Sequence, residues 1–260
     1  LILVKNREIK QSPIKPSHLN SVHLQIEGWK SELQNEQVIE YVNLGEEPIW
    51  GRTNKPLPDR PTLSGSPWYE QSDCDRPFLL LNRTFNANFQ FHYNPCLFEV
   101  ADNFFYLPKP EFVSPEYLAG YMNTTLGWFM TEVTARAWTN TLRMDKFEYQ
   151  QMPILNASDG IEEGIKETLE QVMSRDIGNV FEELQAYSPD DFDLDEMKQD
   201  RRSLDEPFLD EIGLTSVEEK SEFYQEMVRM VRDRLMRQPE ENPSLCETIA
   251  QHNPQYDYSR

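Results

Sequence analysis

Cysteine is scarce in this chain, and the few cysteines form no pattern. Three are present among 260 residues, Cys74, Cys96 and Cys246, and no two of them make a C-x-x-C pair. An odd, widely spaced set argues against a disulfide framework and against a zinc site. Because such a set fits a reducing compartment, we predict a cytoplasmic protein with no metal centre.

Long apolar runs and signal-peptide features are also missing. No stretch approaches the ~20 apolar residues of a membrane-spanning helix. Nothing near the start combines a basic segment with an apolar one, as secretory signals do. The sequence therefore predicts no membrane contact. Its first residue is Leu1 rather than Met, so we expect the chain to be part of a longer protein.

Glycine is sparse, and the 10 glycines do not cluster. Domains that bind dinucleotides and similar cofactors place a glycine-rich turn between a strand and a helix, where backbone N–H groups meet the cofactor. No segment of the sequence has that composition. We therefore predict no such cofactor site within this chain.

Cations are outnumbered by acids, with 25 Lys and Arg against 45 Asp and Glu, which gives a net charge of −20. The imbalance is uneven along the chain. Residues 1–155 contain 18 acids and 14 bases, a net of −4, whereas residues 156–260 contain 27 acids and 11 bases, a net of −16. Acidic surfaces repel nucleic acid, so we expect any DNA contact in the near-neutral first part.

The most informative stretch spans residues 114–154 and begins with a clear helix start. Ser114 is a good N-cap, and Pro115 suits the first helical position. Apolar residues then recur at helical spacing, which predicts one buried face: Leu118, Met122, Leu126, Phe129 and Val133. Residues 136–143 follow and combine two arginines, a tryptophan and small polar groups. This composition suits a surface loop between helices or a nucleic-acid contact loop, and the residues alone leave both open.

The remaining patterns predict an α+β fold. Residues 76–107 are typical of a small antiparallel sheet, and residues 37–44 alternate enough for a short strand. Two amphipathic helices are predicted over residues 159–184 and 215–237, each starting at a capping box. We therefore expect a small antiparallel sheet with helices, followed by a mostly helical C-terminal extension.

Several short motifs occur in the order found in one enzyme family. They are Pro67-Trp68-Tyr69, Asn103-Phe104-Phe105, Met122-Asn123-Thr124, Ala135-Arg136-Ala137-Trp138 and Met152-Pro153-Ile154, followed by Asp200-Arg201-Arg202-Ser203-Leu204-Asp205 and residues 209–215. In this order they resemble the specificity region of adenine-specific (N-6) DNA methyltransferases, the TaqI-like enzymes of restriction-modification and related phage-defence systems. The family's loop glycines are replaced here by Thr139-Asn140-Thr141.

The resemblance implies three parts: residues 1–50 joining a catalytic domain that is missing here, residues 51–156 as a DNA target recognition domain, and residues 157–260 as an acidic helical extension. It implies double-stranded DNA and the catalytic domain of the same protein as partners, with restriction or defence-system subunits as further ones. S-adenosylmethionine would be the cofactor of the parent methyltransferase, with none bound by this fragment. We expect the fragment alone not to be catalytic.

The predicted DNA-binding residues follow from the resemblance and from side-chain chemistry. Cations suited to phosphates are Arg52, Arg76, Arg83 and Lys146, and groups suited to base edges are Arg136, Asn140 and Arg143. Asn82 joins them from a polar turn, and Trp138 would stack on bases or wedge between them. An alternative interpretation needs no DNA: an acidic helical module that binds another protein. Salt-dependent DNA binding would separate the two.

Two catalytic motifs are imitated in the sequence but fail on their context. Pro189-Asp190 and Glu196-Met197-Lys198 spell a nuclease-like pattern, yet they lie in an acidic linker and not on strands that share a metal. Asn253-Pro254-Gln255-Tyr256 resembles the family's Asn-Pro-Pro-Tyr catalytic motif, but it has glutamine at the third position and no cofactor loop beside it. We therefore assign no catalytic residue.

Overall fold

The computed structural model describes residues 3–4, 14–15, 26, 29–47, 56–59, 67–69, 76–100, 105–107, 113–156 and 159–253. Within these ranges the protein is α+β with a mostly helical C-terminal region, which confirms the predicted fold class. Among the helices described, none is both long enough and apolar enough to cross a membrane.

The described strands are short. They are β1 (Leu3–Val4), β2 (Leu79–Leu81), β3 (Thr84–Phe85), β4 (His92–Tyr93), β5 (Glu99–Val100), β6 (Phe105–Leu107), β7 (Arg136–Trp138) and β8 (Thr141–Arg143). The described helices are α1 (Glu36–Gly45), α2 (Pro115–Asn123), α3 (Thr125–Thr134), α4 (Lys146–Gln151), α5 (Asp159–Met173), α6 (Val180–Leu184), α7 (Gln199–Glu211), α8 (Val217–Leu235) and α9 (Pro243–His252). These strands form two antiparallel sheets, in the orders β4-β2-β6 and β3-β8-β7, and one parallel pair, β1-β5.

Residues 37–44 form a helix and not the predicted strand. α1 begins after Asn35, whose side-chain oxygen accepts hydrogen bonds from two backbone N–H groups of the first turn, at 2.9 and 3.2 Å. Tyr41 and Val42 belong to a small apolar cluster that includes Trp68. A short apolar run is compatible with both strand and helix periodicity. Here the N-cap and the packing against Trp68 favour the helix.

The apolar helix predicted after Ser114 is two helices that meet at Thr124. The Thr124 hydroxyl accepts a hydrogen bond from the backbone N–H of Gly127 at 3.0 Å, so this residue caps α3 while its extended backbone ends α2. The break shifts the helical phase. It puts Trp128 in the core and leaves Val133, which the pattern predicts to be buried, 49% exposed.

Residues 159–184, predicted as one helix, form α5 and α6 with a turn between them. Asn179 starts α6, because its side chain accepts hydrogen bonds from two backbone N–H groups of that helix, at 3.0 and 3.1 Å. The backbone N–H of Gly178 donates to Glu183 at 2.9 Å. Side-chain bonds of this kind cap the start of a new helix, so α6 begins separately from α5. The later helix, α8, begins after Ser216, one residue beyond the predicted cap.

One hydrophobic cluster connects the sheets with the C-terminal helices. Its buried members run from Phe78 to Ile249, so residues 76–156 and 159–253 share a core. Helix α5 packs against both α2 and α7 in this core. The three-part division of the chain stays a prediction about its organisation.

Arg201, from the motif at residues 200–205, is fully buried where α2 meets α3. Its guanidinium donates hydrogen bonds to the backbone oxygen of Asn123 and to the carboxylate of Glu183. The central carbon of the same group lies 4.2 Å from the centre of the Trp128 ring. One side chain of α7 therefore ties the end of α2 to α3 and α6.

Asp205 should make the stability of the protein fall as the pH rises from about 4 to about 6. Its carboxylate is buried and accepts hydrogen bonds from the backbone N–H of Thr125 at 2.8 Å and from its hydroxyl at 2.5 Å. Burial raises the pKa of Asp205 from 3.8 to about 6, against the lowering effects of Arg201 and Thr125. In this window the folded protein keeps a proton that the unfolded chain has released, and the resulting stabilisation disappears as the pH rises.

The substitution Asp205→Asn tests this, because asparagine keeps two hydrogen-bonding atoms but cannot titrate. In urea unfolding from about pH 4 to about pH 7, the stability of wild type relative to the variant should fall by roughly 1–3 kcal/mol. Stability curves that run parallel for the two proteins would show that Asp205 does not titrate there.

Candidate nucleic-acid interface

Residues 136–143 form a β-hairpin and not a loop. Strands β7 and β8 pair antiparallel, with Arg136 opposite Arg143 and Trp138 opposite Thr141. Because alternate residues of a strand point to the same side, these four side chains share one face of the hairpin. All four are exposed or partly exposed, so the polar and aromatic face looks away from the core.

Strand β3 extends the hairpin into a three-stranded sheet whose other face is buried at β3 and β8, while Ala137 on β7 is exposed. Phe85 lies opposite Leu142, and both side chains are in the core. Thr84 lies opposite Arg143 and widens the exposed face by one strand. An antiparallel sheet with one face in water needs apolar residues on only one side, which explains the mixed composition of this segment.

The tip of the hairpin is held by the C-terminal region. Thr139 has a left-handed φ of 58°, which is unfavourable for a β-branched residue. Asn140 beside it is fully buried, and its amide donates to the backbone oxygen of Gln238 at 3.2 Å. Its own backbone oxygen accepts a hydrogen bond from the Arg234 guanidinium. These contacts fix the turn firmly enough for the strained residue to be tolerated.

A single carboxylate, that of Asp145, holds three arginines at the exposed face. It accepts hydrogen bonds from Arg83 at 3.2 Å, from Arg143 at 3.0 and 3.3 Å, and from Arg136. Glu148 completes the cluster, 2.7 Å from Arg136 and 2.9 Å from the backbone N–H of Asp145. The hydrogen bond from Arg143, followed by that from Arg83, lowers the pKa of Asp145. The carboxylate is therefore ionised at neutral pH.

Trp138 and Arg143 form part of the wall of an open groove beside this cluster. Trp138 is 63% exposed, and the central carbon of the Arg143 guanidinium lies 5.6 Å from the centre of its ring. The groove has a volume of about 610 Å³. Its lining comes from the sheet, the turn and the segment before α9: Arg83, Thr84, Trp138, Thr139, Thr141, Arg143 and Glu241. Cations, hydroxyls and an aromatic ring in one groove suit a phosphodiester backbone and the bases beside it.

The fold brings Arg83, Arg136, Trp138 and Arg143 together, as a shared DNA-binding surface requires. Lys146 is also exposed, at the start of α4 directly after the shared carboxylate. These predicted contact residues come from β3 and its preceding turn, from the hairpin and from α4. They are therefore carried by a sheet that is anchored in the core.

The other predicted contact residues lie elsewhere or serve the fold. Asn82 donates from its amide to the backbone oxygen of Gln90 at 2.9 Å. Asn140 is buried in the hairpin tip, so in this conformation its amide does not reach a base edge. Arg76 is exposed ahead of β2 and does not line the groove, and Arg52 lies outside the described residues.

Two residues that shape the site were not predicted from the sequence, Asp145 and Arg234. Asp145 and Glu148 form a D-x-x-E capping box, a signal that predicts the start of α4 but not the arginine partners. Arg234 lies on α8 and reaches Asn140 across 94 residues of sequence, a separation that no local pattern reports.

Among the described residues we find neither a cluster of metal-ligating side chains nor a glycine-rich turn between a strand and a helix. No group of three or more His, Cys, Asp or Glu side chains among them is arranged to hold a metal ion. Their glycines lie within helices or near helix ends, and none joins a strand to a helix, so they do not form an S-adenosylmethionine loop. Asn253 is buried and donates to the backbone oxygen of Tyr187 at 3.0 Å, which gives it a structural role. Residues 254–256 lie outside the described ranges.

Neither a model of a known protein family nor a curated protein matches this chain. The resemblance to methyltransferase specificity regions therefore rests on the motifs alone. Two of those motifs occupy structurally important positions. Residues 135–138 lead into the hairpin, and residues 200–205 anchor the helices behind it. Function has to be inferred from the chemistry of the hairpin face.

Proposed function

We propose that this chain is the DNA sequence-recognition part of an adenine-specific (N-6) DNA methyltransferase of a restriction-modification type system. The observation that carries the proposal is the hairpin register, which places Arg136, Trp138 and Arg143 on one exposed face. A two-stranded β-ribbon fits the major groove of B-DNA, where all four base pairs are distinguishable. The proposed partner is therefore double-stranded DNA.

The residues of this face suit different parts of a duplex. Arg143 is restrained by Asp145 and lies near the Trp138 ring, and an arginine fork pairs well with O6 and N7 of guanine. Arg83 and Lys146 are exposed beside it and suit phosphate oxygens. Trp138 offers an apolar face to a base or sugar.

The acidity of the chain is compatible with this role. Residues 156–260 supply −16 of the net charge of −20, whereas the arginines of the hairpin face belong to the other part of the chain. A small cationic face on an acidic protein binds random DNA weakly, because the remaining surface repels phosphates. Occupancy of a site would then depend mainly on the contacts of the hairpin itself.

In this proposal, methylation takes place on a catalytic domain of the same protein. That domain would hold S-adenosylmethionine and receive the flipped adenine. Restriction or defence-system subunits are further proposed partners, and we place the protein in the cytoplasm. No described residue is assigned a chemical step.

The substitution Arg143→Ala should weaken binding to the preferred duplex by about 1–3 kcal/mol and relax the preference at one base pair. Selection from a pool of duplexes with a randomised centre would first supply the preferred sequence. Affinity is then measured on that duplex and on single-mismatch duplexes at two salt concentrations. Arg229→Ala is the matched control, since Arg229 is an exposed arginine of α8 that pairs with Glu226 and does not line the groove.

Each alternative has its own outcome in this experiment. If the affinity falls equally for every duplex and the salt dependence of binding decreases by about one unit, Arg143 contacts a phosphate. If Arg143→Ala binds every duplex as tightly as wild type does, the hairpin is not part of the recognition surface. A wild-type chain with no salt-dependent DNA affinity would support the alternative, an acidic helical module that binds another protein.

A further inference from the structure

We propose that Asp145 is a positioning residue that sets the selectivity of this surface. It orients Arg143 toward a guanine edge and withholds part of the cationic charge from phosphates. This inference rests on the proposed function. In it, the Asp145 carboxylate determines how strongly the surface prefers a specific DNA sequence over random DNA.

Asp145 binds Arg143 along one edge of the guanidinium. Arg143 Nε lies 3.0 Å from Oδ2 of Asp145, and Nη2 lies 3.3 Å from Oδ1, so the carboxylate grips one side of the guanidinium. A guanidinium has five N–H donors, and this grip leaves three, on Nη1 and on the outer side of Nη2. Two terminal nitrogens with free N–H groups can donate side by side to guanine O6 and N7. Asp145 therefore fixes one edge of Arg143 and leaves the other edge for a base.

Asp145 and Glu148 neutralise most of the positive charge of the arginine cluster. Arg83 and Arg136 share the oxygens of Asp145 with Arg143, and Glu148 pairs with Arg136. Three guanidinium groups and two carboxylates leave a net charge of about +1. Arginines that are paired in this way attract a phosphate backbone less than unpaired ones would.

Removal of the Asp145 carboxylate should therefore change the affinity for random DNA and the discrimination between sequences in opposite directions. Affinity for random DNA should rise, because the face gains one unit of positive charge. Discrimination between sequences should fall, because Arg143 then occupies several rotamers instead of one. A residue that merely supported the fold would lower both quantities when it was replaced.

The test compares wild type with Asp145→Asn, which removes the charge at nearly constant size. Affinity for a random-sequence duplex should rise about threefold, with a steeper salt slope. The ratio of affinities for the preferred and single-mismatch duplexes should fall about tenfold. Asp145→Ser keeps a helix-capping oxygen before α4 and should behave in the same way, so it decides the matter if the asparagine variant does not fold.

Glu240→Gln is the matched control for charge. Glu240 is an exposed carboxylate that does not line the groove, and it has no arginine among its described hydrogen bonds or ion pairs. Its substitution removes an equal charge without releasing Arg143. It should raise the affinity for random DNA and leave the discrimination ratio unchanged.

The outcomes separate the inference from the proposed function. If Asp145→Asn behaves like Glu240→Gln, or lowers both affinities, Asp145 does not position Arg143, and the inference is overturned while the proposed function stands. If the wild-type chain shows no salt-dependent DNA binding, both are overturned. A rise in random-DNA affinity together with a loss of discrimination, seen only at Asp145, supports the inference.

Discussion

The substitution Glu183→Ala should lower the free energy of unfolding by about 3–5 kcal/mol. Glu183 is fully buried and accepts hydrogen bonds from Arg175 at 2.7 and 2.8 Å, from Lys198 at 2.9 Å and from Arg201 at 3.3 Å. Arg175 keeps a second partner, Asp200, in the variant. Arg201 is buried and loses the carboxylate to which it donates, so its charge in the core is compensated less well, although Asp205 still acts on it.

The stability of the protein at acid pH should also depend on this network. Burial acts to raise the pKa of Glu183, but the hydrogen bond from Arg175 and the charge of Arg201 outweigh it and lower the pKa from 4.5 to about 2. A lowered carboxyl pKa stabilises the fold above the ordinary value, and this stabilisation is lost as the pH falls from 4.5 through about 2. The stability of Glu183→Ala should therefore fall less than that of wild type over this pH range.

Urea unfolding at neutral pH measures the effect of Glu183→Ala, with Glu196→Ala as the control. Glu196 is an exposed acid in the segment before α7, so its loss should change stability by less than about 0.5 kcal/mol. A loss below about 1 kcal/mol for Glu183→Ala would contradict the buried network, because the cations would then be satisfied without their shared carboxylate.

The second large effect is expected from Arg234→Met, which should cost about 3–5 kcal/mol of stability and also weaken DNA binding. The Arg234 side chain is 4% exposed and pairs with Glu132, 5% exposed, at 2.7 Å. Its guanidinium also donates to the backbone oxygens of Asn86, at 2.7 Å, and of Asn140. The variant leaves a buried carboxylate without its cation and removes a donor from the hairpin tip.

Arg229→Met is the control for Arg234→Met, since both arginines belong to α8 but Arg229 is exposed. Unfolding by urea gives the change in stability. DNA affinity is compared at a temperature where both variants are folded, and it should fall only for Arg234→Met. Equal stabilities for the two variants would show that the contacts between α8 and the hairpin contribute nothing measurable.

Some helix starts in this chain follow from local chemistry that the sequence shows. Ser114 caps α2 as expected, because its hydroxyl accepts a hydrogen bond from the backbone N–H of Tyr117 at 3.1 Å. The apolar periodicity of the C-terminal half likewise indicates helices. Residues 37–44 were mispredicted because a short apolar run can form either a strand or a helix, and the Asn35 N-cap together with the tertiary contact with Trp68 favours the helix.

The hairpin could not be predicted, because its turn depends on distant residues. Two-residue hairpin turns favour Asn-Gly or Asp-Gly, whereas here Thr139 adopts a φ of 58°. The turn is stabilised by Gln238 and Arg234, which lie 98 and 94 residues from Asn140 in the sequence. Local composition therefore predicts a polar loop where the fold forms two strands.

The candidate site was predicted in part. Arginine and tryptophan chemistry pointed to Arg136, Trp138 and Arg143, and the strand register brings these residues onto one face. The role of Asp145 depends on the meeting of β3, β7 and the start of α4, so no sequence spacing indicates it. Asn140 has a side chain suited to base reading, but burial assigns it to the turn.

Photo-cross-linking from position 138 tests most directly whether the β7–β8 hairpin contacts duplex DNA. A photoreactive phenylalanine analogue replaces Trp138, which is 63% exposed in the groove, and in a second protein it replaces Val217, which is 59% exposed at the start of α8. Both proteins are irradiated with the preferred duplex. We expect cross-links from position 138 that unlabelled duplex competes away and salt reduces, and none from position 217. Equal yields from the two positions, or no cross-link from position 138, would contradict a DNA-binding hairpin.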